Sequence, residues 1–516
     1  MTRQAVTVLG MLVLAHTAAA QFTQQGSKLI GSGAVGVAHQ GYSVAVSADG
    51  NTAIITGYGD NSFAGAAWVF TRGDGVWTQE GSKLVGSGAT GVARYGKSVA
   101  ISGNGNTAIV GGPYDNSNTG AAWVYTRSGG VWSQQGSKLV GTGAVGDAVQ
   151  GWSVAISTDG NTAIVGGAFD DSKAGAAWVY ALSGGVWTQQ GSKLVGTGAV
   201  GDAGQGYSVA VSADGNTAIV GGVADSSLAG AAWVFTRSGG VWSQQGSKLV
   251  GSGAVGAAHQ GYSVAVSADG NTAIVGGWGD NFDTGAAWVF TRRGGLWSQD
   301  GSKLVSTDAV GNAGQGWSVA ISADGNAAIV GGPSDNSNAG AAWVYTRSGG
   351  VWSQEGSKLV GLGAVGAANQ GAVAISADGT TAIAGGSYDD SNAGAAWVFV
   401  ANGCTAPLIT SHPQSQSIQS GQTETLSVTA TGTTPLSYQW YQGSSGAISQ
   451  PVGTNASSFT TPALTSRTSY WVRVSNACGH ADSATATVTI GRELRHHLHR
   501  FTSPDPISAP QRMLEQ

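Results

Sequence analysis

The chain has 516 residues, of which 86 are glycine and 10 are proline, while 41% are hydrophobic and 10% are charged. This balance excludes a low-complexity disordered chain and fits a turn-rich all-β protein. The net charge of −5 at pH 7 provides no basic surface, so we expect no nucleic-acid partner.

The first 20 residues predict a secretory signal peptide. Arg3 supplies a positive charge, residues 5–15 are almost entirely apolar, and Ala18, Ala19 and Ala20 form a small-residue cleavage site. Beyond this segment no apolar stretch is long enough to span a bilayer, so we expect no membrane span. The sequence therefore predicts a secreted protein that is extracellular or lies at the cell surface.

A 55-residue repeat fills residues 21–403. The tetrapeptide Gly-Ser-Lys-Leu occurs seven times at this spacing, with its glycine at Gly26, Gly81, Gly136, Gly191, Gly246, Gly301 and Gly356. Each repeat has four short apolar runs, named strands A, B, C and D in chain order; in one repeat they are residues 151–157, 162–166, 175–180 and 185–190. Hairpin-turn residues join A to B and C to D. Four strands in each of seven repeats predict an all-β, seven-bladed β-propeller.

The last repeat has no strand D of its own. Residues 21–29 match residues 76–84, with Phe22 in the place of Trp77. We therefore expect the N-terminal segment to supply strand D of blade seven, which would remove an open sheet edge.

Residues 404–490 form a second predicted domain that is rich in Ser and Thr. Trp440 follows Val428 by twelve residues, and Tyr470 precedes Val472 by two. This pattern resembles the core tryptophan and tyrosine corner of immunoglobulin-type domains, in particular bacterial Ig-like modules. The resemblance implies a β-sandwich, with Val428 and Val472 where antibody domains place their disulfide.

The two cysteines and the end of the chain complete the prediction. Cys404 and Cys478 can pair in an oxidising compartment, and we expect no catalytic or metal-binding role for them. Residues 491–516 are interpreted as a disordered tail. His496, His497 and His499 offer metal ligands there, but a solvated tail is the favoured interpretation.

The segment from Ile109 to Tyr125 resembles the FG-GAP repeat, the blade unit of integrin-α-type propellers. Its Gly-Ala-Pro element corresponds to Gly111, Gly112 and Pro113, and the resemblance extends over all seven repeats. It implies the propeller fold and little about function.

The resemblance also raises the question of calcium. Calcium-binding FG-GAP blades carry a D-x-D-x-D-G loop between strands A and B, whereas these turns have one acid each, at Asp49, Asp159, Asp214, Asp269, Asp324 and Asp378, with Asn104 in blade two. One carboxylate cannot supply the six to eight oxygens that calcium takes. We interpret these residues as turn formers and expect no metal and no cofactor.

The long D–A and B–C connections emerge on the same face of a propeller, which makes that face the candidate binding surface. An aspartate recurs in every B–C connection, at Asp60, Asp115, Asp170, Asp225, Asp280, Asp335 and Asp389. Just before it, five repeats carry an aromatic residue, at Tyr58, Tyr114, Phe169, Trp278 and Tyr388. At the start of strand A stand Tyr42, Lys97, Trp152, Tyr207, Tyr262 and Trp317, with Ala372 in blade seven. Arg94 and Lys97 make blade two the least regular repeat.

Two interpretations of this face stay open. Aromatic rings and carboxylates suit a sugar, or a protein ligand with Arg or Lys anchors. Alternatively, each aspartate caps its own loop and the aromatic residues close the channel.

The recurring tryptophans of strands C and D have a simpler interpretation. They occupy fixed positions in every blade, so we expect them to form the core between blades. They are Trp68, Trp123, Trp178, Trp233, Trp288, Trp343 and Trp397 in strand C, and Trp77, Trp132, Trp187, Trp242, Trp297 and Trp352 in strand D.

The residues of the repeats do not favour an enzyme. Paired-carboxylate chemistry needs acids in unequal environments, but the only glutamates of the repeats, Glu80 and Glu355, occupy equivalent positions, as do His39 and His259. We therefore predict a secreted, monomeric, non-catalytic binding or adhesion protein with an extracellular protein or glycan as partner. The alternative is a carbohydrate-active or carbohydrate-binding component of an extracellular polysaccharide system.

Overall fold

The structure is a computed structural model that describes residues 22–401, 406–432, 436–476 and 479–491. The predicted signal peptide, Cys404, Cys478 and the three histidines of the predicted tail lie outside these residues. Within the described ranges, no helix has both the length and the hydropathy needed to cross a membrane.

Residues 22–401 form seven four-stranded antiparallel sheets, the blades, in which strands A, B, C and D are neighbours in that order. Strand A spans Ser43–Val46, Ser98–Ile101, Ser153–Ile156, Gln205–Val211, Ser263–Val266, Ser318–Ile321 and Gln370–Ile375. Strand B spans Thr52–Gly57, Thr107–Gly112, Thr162–Gly167, Thr217–Gly222, Thr272–Gly277, Ala327–Gly332 and Thr381–Gly386.

The two outer strands follow the same repeat. Strand C spans Ala66–Gly73, Ala121–Ser128, Ala176–Ser183, Ala231–Ser238, Ala286–Arg293, Ala341–Ser348 and Ala395–Ala401. Strand D spans Val76–Gln79, Val131–Gln134, Val186–Gln189, Val241–Gln244, Leu296–Gln299, Val351–Gln354 and, for blade seven, Phe22–Gln24. The predicted seven-bladed propeller is confirmed.

The ring closes as predicted. Phe22–Gln24 pairs antiparallel with strand C of blade seven, with Thr23 opposite Val400. Each blade also forms one parallel bridge with the next, and the bridge between Gly394 and Gln40 joins blade seven to blade one in the same way as Gly65 and Tyr95 join blades one and two. The N-terminal strand therefore completes the last sheet.

The core lies between blades. Strand B is buried along most or all of its length because a neighbouring blade covers each of its faces. The strand C tryptophans are all 0% exposed, so the prediction that they are core is confirmed. The strand D tryptophans are partly buried at the edges of the hydrophobic clusters between blades. Trp77 is an example, and the guanidinium of Arg72 lies 5.3 Å from the centre of its ring.

The turns between strands A and B are held by their aspartates. In blade one, Asp49 accepts hydrogen bonds from Ser47 Oγ at 2.5 Å and from the backbone N–H of Asn51 at 3.0 Å. Its second oxygen accepts from Asn51 Nδ2 at 3.2 Å. This geometry fits the interpretation of these residues as turn formers.

Each B–C connection contains a four-residue helical turn, at Asp60–Phe63, Asp115–Asn118, Asp170–Lys173, Asp225–Leu228, Asp280–Asp283, Asp335–Asn338 and Asp389–Asn392. The second and third residues of every turn have left-handed backbone, as at Asn61 (φ 49°) and Ser62 (φ 57°). This left-handed conformation is less favourable than the right-handed one by roughly 1–2 kcal/mol for each non-glycine residue. Surrounding contacts must therefore hold each turn in place.

Blade seven departs from the repeat at the start of strand A. Ser318 of blade six lies opposite Gly331, whereas Ala372 of blade seven lies opposite the equivalent Gly385. Ala372 thus takes the place of the serine. The expectation that it stands at the position of Trp317 is corrected: blade seven has one residue fewer and no side chain at that position.

The described residues of the second domain form ten strands, Leu408–Ser411, Gln416–Ile418, Thr425–Ser427, Thr429–Thr431, Ser437–Gln442, Pro451–Val452, Ser458–Thr460, Thr468–Asn476, Gly479–Asp482 and Ala486–Ile490. Trp440 pairs with Val472 and is fully buried, and Tyr470 is 1% exposed beside it in the core. The Ig-like core predicted from these residues is confirmed.

Candidate ligand-binding site at the channel mouth

The seven B–C aspartates have a structural role. Each side chain is 1% exposed, and its Oδ2 forms an ion pair with the lysine of a Gly-Ser-Lys-Leu element. The pairs are Asp60–Lys83, Asp115–Lys138, Asp170–Lys193, Asp225–Lys248, Asp280–Lys303, Asp335–Lys358 and Asp389–Lys28.

The other carboxylate oxygen is also occupied. In blade one, Asp60 Oδ1 accepts the backbone N–H of Val35 at 2.7 Å, and every other blade repeats this bond at 2.6–2.7 Å. Each aspartate thus ties the left-handed turn of its B–C connection to two other segments, the one before strand A of its blade and the one after strand D, as Asp60 does with Val35 and Lys83. The prediction that the ring of aspartates contacts a ligand is corrected, because both oxygens are buried and partnered.

The centre of the long-loop face is an aromatic cavity instead. In six blades the side chain directly before the first serine of strand A lies at the mouth of the channel. These residues, here called the mouth ring, are Tyr42, Lys97, Trp152, Tyr207, Tyr262 and Trp317. Together with serines and small apolar residues beneath them, they line a cavity of about 180 Å³. That is smaller than the roughly 300 Å³ at which sites for drug-sized ligands begin, so the cavity suits one end group of a larger ligand.

The members of the mouth ring touch their neighbours in sequence order. The ring centres of Trp152 and Tyr207 are 5.4 Å apart, those of Tyr207 and Tyr262 4.8 Å, and those of Tyr262 and Trp317 4.6 Å. Trp317 is 36% exposed and the others are half-buried. Because blade seven contributes no side chain here, the ring is open on the side of blade seven.

Lys97 replaces an aromatic residue in this ring. Its Nζ lies 4.4 Å from the centre of the Tyr42 ring and 4.7 Å from that of Trp152, and it donates a hydrogen bond to the Tyr42 hydroxyl. The pKa of Lys97 is lowered to about 8, mainly by burial and to a smaller extent by the charge of nearby Arg94, while Tyr114 acts in the opposite direction. A cation in this position is stabilised by the faces of both rings.

The loop aromatic residues predicted from the sequence fall into two groups. Tyr58 and Trp278 stand two residues before the aspartate and contact the mouth ring. The ring centres of Tyr58 and Tyr42 are 4.6 Å apart, and those of Trp278 and Trp317 are 5.9 Å apart. Tyr58 stacks on His39 and Trp278 stacks on His259, in both cases with ring centres 5.0 Å apart. Burial lowers the pKa of both histidines, so both are neutral at pH 7.

Tyr114, Phe169 and Tyr388 stand one residue before the aspartate, and Phe169 and Tyr388 extend the aromatic surface outwards. Phe169 contacts Trp152 at 5.6 Å and is 37% exposed, and Tyr388 is 45% exposed. The structure therefore brings three of the five loop aromatics, Tyr58, Phe169 and Trp278, into direct contact with the mouth ring. Tyr388 joins the same surface through His39, with ring centres 5.6 Å apart. Tyr114 belongs to a separate cavity.

That second cavity surrounds Arg94. Its guanidinium lies 4.5 Å from the centre of the Tyr114 ring and 5.4 Å from that of Phe63. Together with Thr90, Gly91, Val92, Ser117 and Asn118, Arg94 and Tyr114 line a cavity of about 380 Å³. Arg94 and Lys97, predicted together as the irregular feature of blade two, thus belong to adjacent but distinct cavities.

The lowered pKa of Lys97 gives a pH-dependent stability prediction. The titratable or charged groups around Lys97 are Tyr42, Arg94, Tyr114, Tyr207 and Tyr262. Unfolding returns the Lys97 pKa to its ordinary 10.5, so the unfolded chain binds more protons than the native chain between about pH 8 and pH 10.5. The penalty for burying the charge is therefore complete below pH 8 and disappears as the pH rises to 10.5.

We expect Lys97→Met to melt at a higher temperature than the parent protein at pH 7, with a difference that shrinks from pH 8 to pH 10.5. The tyrosines other than Tyr42, whose hydroxyl accepts a hydrogen bond from Lys97, titrate alike in both proteins and cancel in this difference. The matched control is Lys173→Met, since Lys173 is exposed on a B–C turn of the same face. Melting curves from pH 6 to 10.5 measure the effect, and a difference that does not vary with pH contradicts the prediction.

Comparisons with known proteins agree with the two domains. Residues 77–125 match the family model of the FG-GAP repeat, and residues 405–491 match the model described as Ig-like domain, CHU_C associated. No curated protein matches the chain significantly.

Several solved structures resemble parts of the chain. The β-propeller domain of the Trilobed protease from Pyrococcus furiosus, described as having an open velcro topology, is 9% identical with a TM-score of 0.39, over 71% of this chain and 96% of that chain. A putative TolB from Agrobacterium tumefaciens is 13% identical with a TM-score of 0.31, and the match covers 50% of this chain and 79% of that chain. A chimeric titin Z1Z2 is 22% identical with a TM-score of 0.15, and the match covers 17% of this chain and 98% of that chain. The matched family models confirm both resemblances predicted from the sequence: the chain carries an FG-GAP repeat in its propeller and a CHU_C-associated Ig-like domain at its C-terminal side.

Proposed function

We propose that this is a non-catalytic binding protein that acts outside the cell and holds the end group of a glycan in the mouth of its propeller. The observation that carries the proposal is the mouth ring, a contiguous set of five partly exposed aromatic rings and one cation around a cavity of about 180 Å³. Sugars present apolar C–H faces to such rings and hydroxyl groups to polar atoms. Tyrosine and tryptophan provide both kinds of contact in one side chain.

The composition of the cavity supports binding over catalysis. Glycan-cleaving sites use a pair of carboxylates, whereas aromatic rings, serines, one lysine and small apolar residues line this cavity. Glu80 is instead engaged with Arg127 at 3.0 Å, and Glu355 accepts a hydrogen bond from Thr346. Both glutamates directly follow strand D, the outermost strand of a blade and the one farthest from the channel.

Two further features support an extracellular setting. FG-GAP repeats and CHU_C-associated Ig-like domains are typical of extracellular proteins. The first 20 residues also have the sequence of a secretory signal. In this setting the Ig-like domain serves as a spacer or as a second contact surface.

The test is a glycan array with the full-length protein and the double variant Trp152→Ala/Trp317→Ala. Each ring contributes about 1 kcal/mol to a sugar contact, so the double variant should bind its best glycan roughly 30-fold more weakly. Phe282→Ala is the matched control, because Phe282 is 82% exposed on a B–C turn of the same face but does not line the cavity.

Melting temperatures measured alongside show whether each variant remains folded. Equal glycan binding by the parent and the double variant contradicts the proposed site. Binding of no glycan by the parent protein, with capture of a surface protein instead, contradicts the proposed ligand class.

A further inference from the structure

Lys97 differs from the lysines of the seven Gly-Ser-Lys-Leu elements. Each of those seven forms an ion pair with a buried aspartate. Among the residues that the structure describes, no carboxylate lies within ion-pair distance of Lys97. The mouth of the channel therefore holds a half-buried ammonium group without a counter-charge from the described part of the chain.

Such an arrangement carries an energetic cost. Removing a charge from water is unfavourable unless an opposite charge or hydrogen bonds replace the water. The rings of Tyr42 and Trp152 compensate part of the cost. An ammonium group has three N–H donors, and the Tyr42 hydroxyl accepts only one hydrogen bond from it.

Lys97 also takes the place of an aromatic side chain, since the five equivalent residues are Tyr42, Trp152, Tyr207, Tyr262 and Trp317. A further ring at this position would complete the hydrophobic wall without any cost for a buried charge. The structure instead has a single cation in the wall of the cavity, where it faces the space that a ligand would fill. Replacing Lys97 by an aromatic residue would thus stabilise the fold. Residues that lower the stability of the fold in this way are typical of functional sites.

We infer that the ligand is an acidic glycan, and that the carboxylate of its terminal sugar pairs with Lys97 while the sugar ring packs on Trp152 and the neighbouring aromatic rings. This inference rests on the proposed glycan-binding function and adds the chemical class of the ligand. A carboxylate supplies the missing counter-charge and accepts the remaining N–H donors. The cavity of about 180 Å³ has the volume of about six waters, which one sugar ring can displace.

The charge of Lys97 makes the binding dependent on pH. Binding of the carboxylate requires the protonated amine, whose pKa is about 8 in the free protein. Affinity should therefore be constant below pH 7 and decrease about tenfold per pH unit above pH 8. A neutral glycan would show no such decrease.

The experiment is an array that holds glycans ending in uronic or sialic acids together with their neutral counterparts, followed by titration of the best-bound glycan and its methyl ester. We expect the acid to bind at least tenfold more tightly than the ester at pH 6.5. Lys97→Met should remove this preference, Lys97→Arg should retain most of it, and the control Lys173→Met should leave it unchanged. The Arg variant keeps the charge, so it separates the loss of the ammonium group from a change in folding.

The possible outcomes are distinguishable. If acid and ester bind equally, or if Lys97→Met keeps the preference for the acid, the inference is wrong while the proposed glycan binding stands. If the parent protein binds neither acidic nor neutral glycans, the proposed function itself fails, and the inference fails with it.

Discussion

Deletion of Phe22–Leu29 will open the propeller at blade seven, lower its melting temperature by roughly 5–10 °C and cause aggregation. The deletion removes the strand that pairs with Ala395–Ala401 and leaves the edge of that strand exposed. Unpaired strand edges promote association between chains. It also removes Lys28, the ion-pair partner of Asp389, whose side chain is 1% exposed.

The loss of Lys28 contributes much of the expected effect. Breaking a buried ion pair by removing one partner costs about 3–5 kcal/mol, because the other charge stays buried without compensation. Leu29 adds to it, since its backbone exchanges two hydrogen bonds with Ala396. For a chain of this size, a few kcal/mol correspond to a decrease of several degrees in melting temperature.

Calorimetry and size-exclusion chromatography measure the two effects, and a synthetic peptide of residues 22–30 provides the control. The peptide should restore the melting temperature when added to the truncated protein, and a peptide with Lys28→Met should restore less of it. An unchanged melting temperature in the truncated protein contradicts the role of the N-terminal strand in closing the ring.

The blades and their closure are predictable from the sequence because they rest on local, repeated signals. The spacing of Gly-Ser-Lys-Leu fixes the number of blades, and the match of residues 21–29 to residues 76–84 identifies the displaced strand. The Ig-like core follows from two aromatic positions, Trp440 and Tyr470. In each case a residue pattern specifies which side chains become buried together.

The role of the aspartates was harder to predict because it depends on two loops that fold back on each other. Asp60 and Lys83 are 23 residues apart, and their pairing follows only from the structure of the long connections between them. A signal was present nevertheless: in six repeats the lysine follows the aspartate by 23 residues, and Lys28 of the N-terminal segment takes the equivalent place for Asp389. A conserved pair of opposite charges in each repeat favours an ion pair over a ring of free acids.

The geometry of the mouth depends on single-residue differences between repeats. From Asp324 to Asp378 the spacing is 54 residues, whereas from Asp269 to Asp324 it is 55, and this one-residue deletion opens the mouth ring at blade seven. Gly59 is another such difference: a Cβ there would lie 2.5 Å from the carbonyl oxygen of Val37 and 2.6 Å from the imidazole Cδ2 of His39. Such differences indicate which blades are specialised but do not reveal which side chains meet.

The interpretation of the tryptophans as core and of the mouth ring as ligand surface predicts opposite effects of truncation. We expect Trp178→Ala to reduce the free energy of unfolding by about 3–5 kcal/mol. Trp178 is fully buried, packs with Ile109 and Val124 of the preceding blade, and donates a hydrogen bond from Nε1 to the carbonyl of Thr142 at 2.8 Å. Truncation leaves a cavity and an unpaired carbonyl at the junction of two blades.

Trp317→Ala is the matched control, since it removes the same side chain from a site that is 36% exposed. We expect it to cost about 1 kcal/mol or less in stability, because water replaces much of the lost contact. Urea denaturation of both variants measures the two free energies, and glycan titration of the folded variants measures affinity. Trp178→Ala should retain its affinity per folded molecule, while the affinity of Trp317→Ala should decrease roughly fivefold. If Trp317→Ala destabilises the propeller as much as Trp178→Ala and leaves the affinity unchanged, the mouth ring belongs to the packed core. A side chain on a ligand surface can be removed with little loss of stability, but its removal weakens ligand binding.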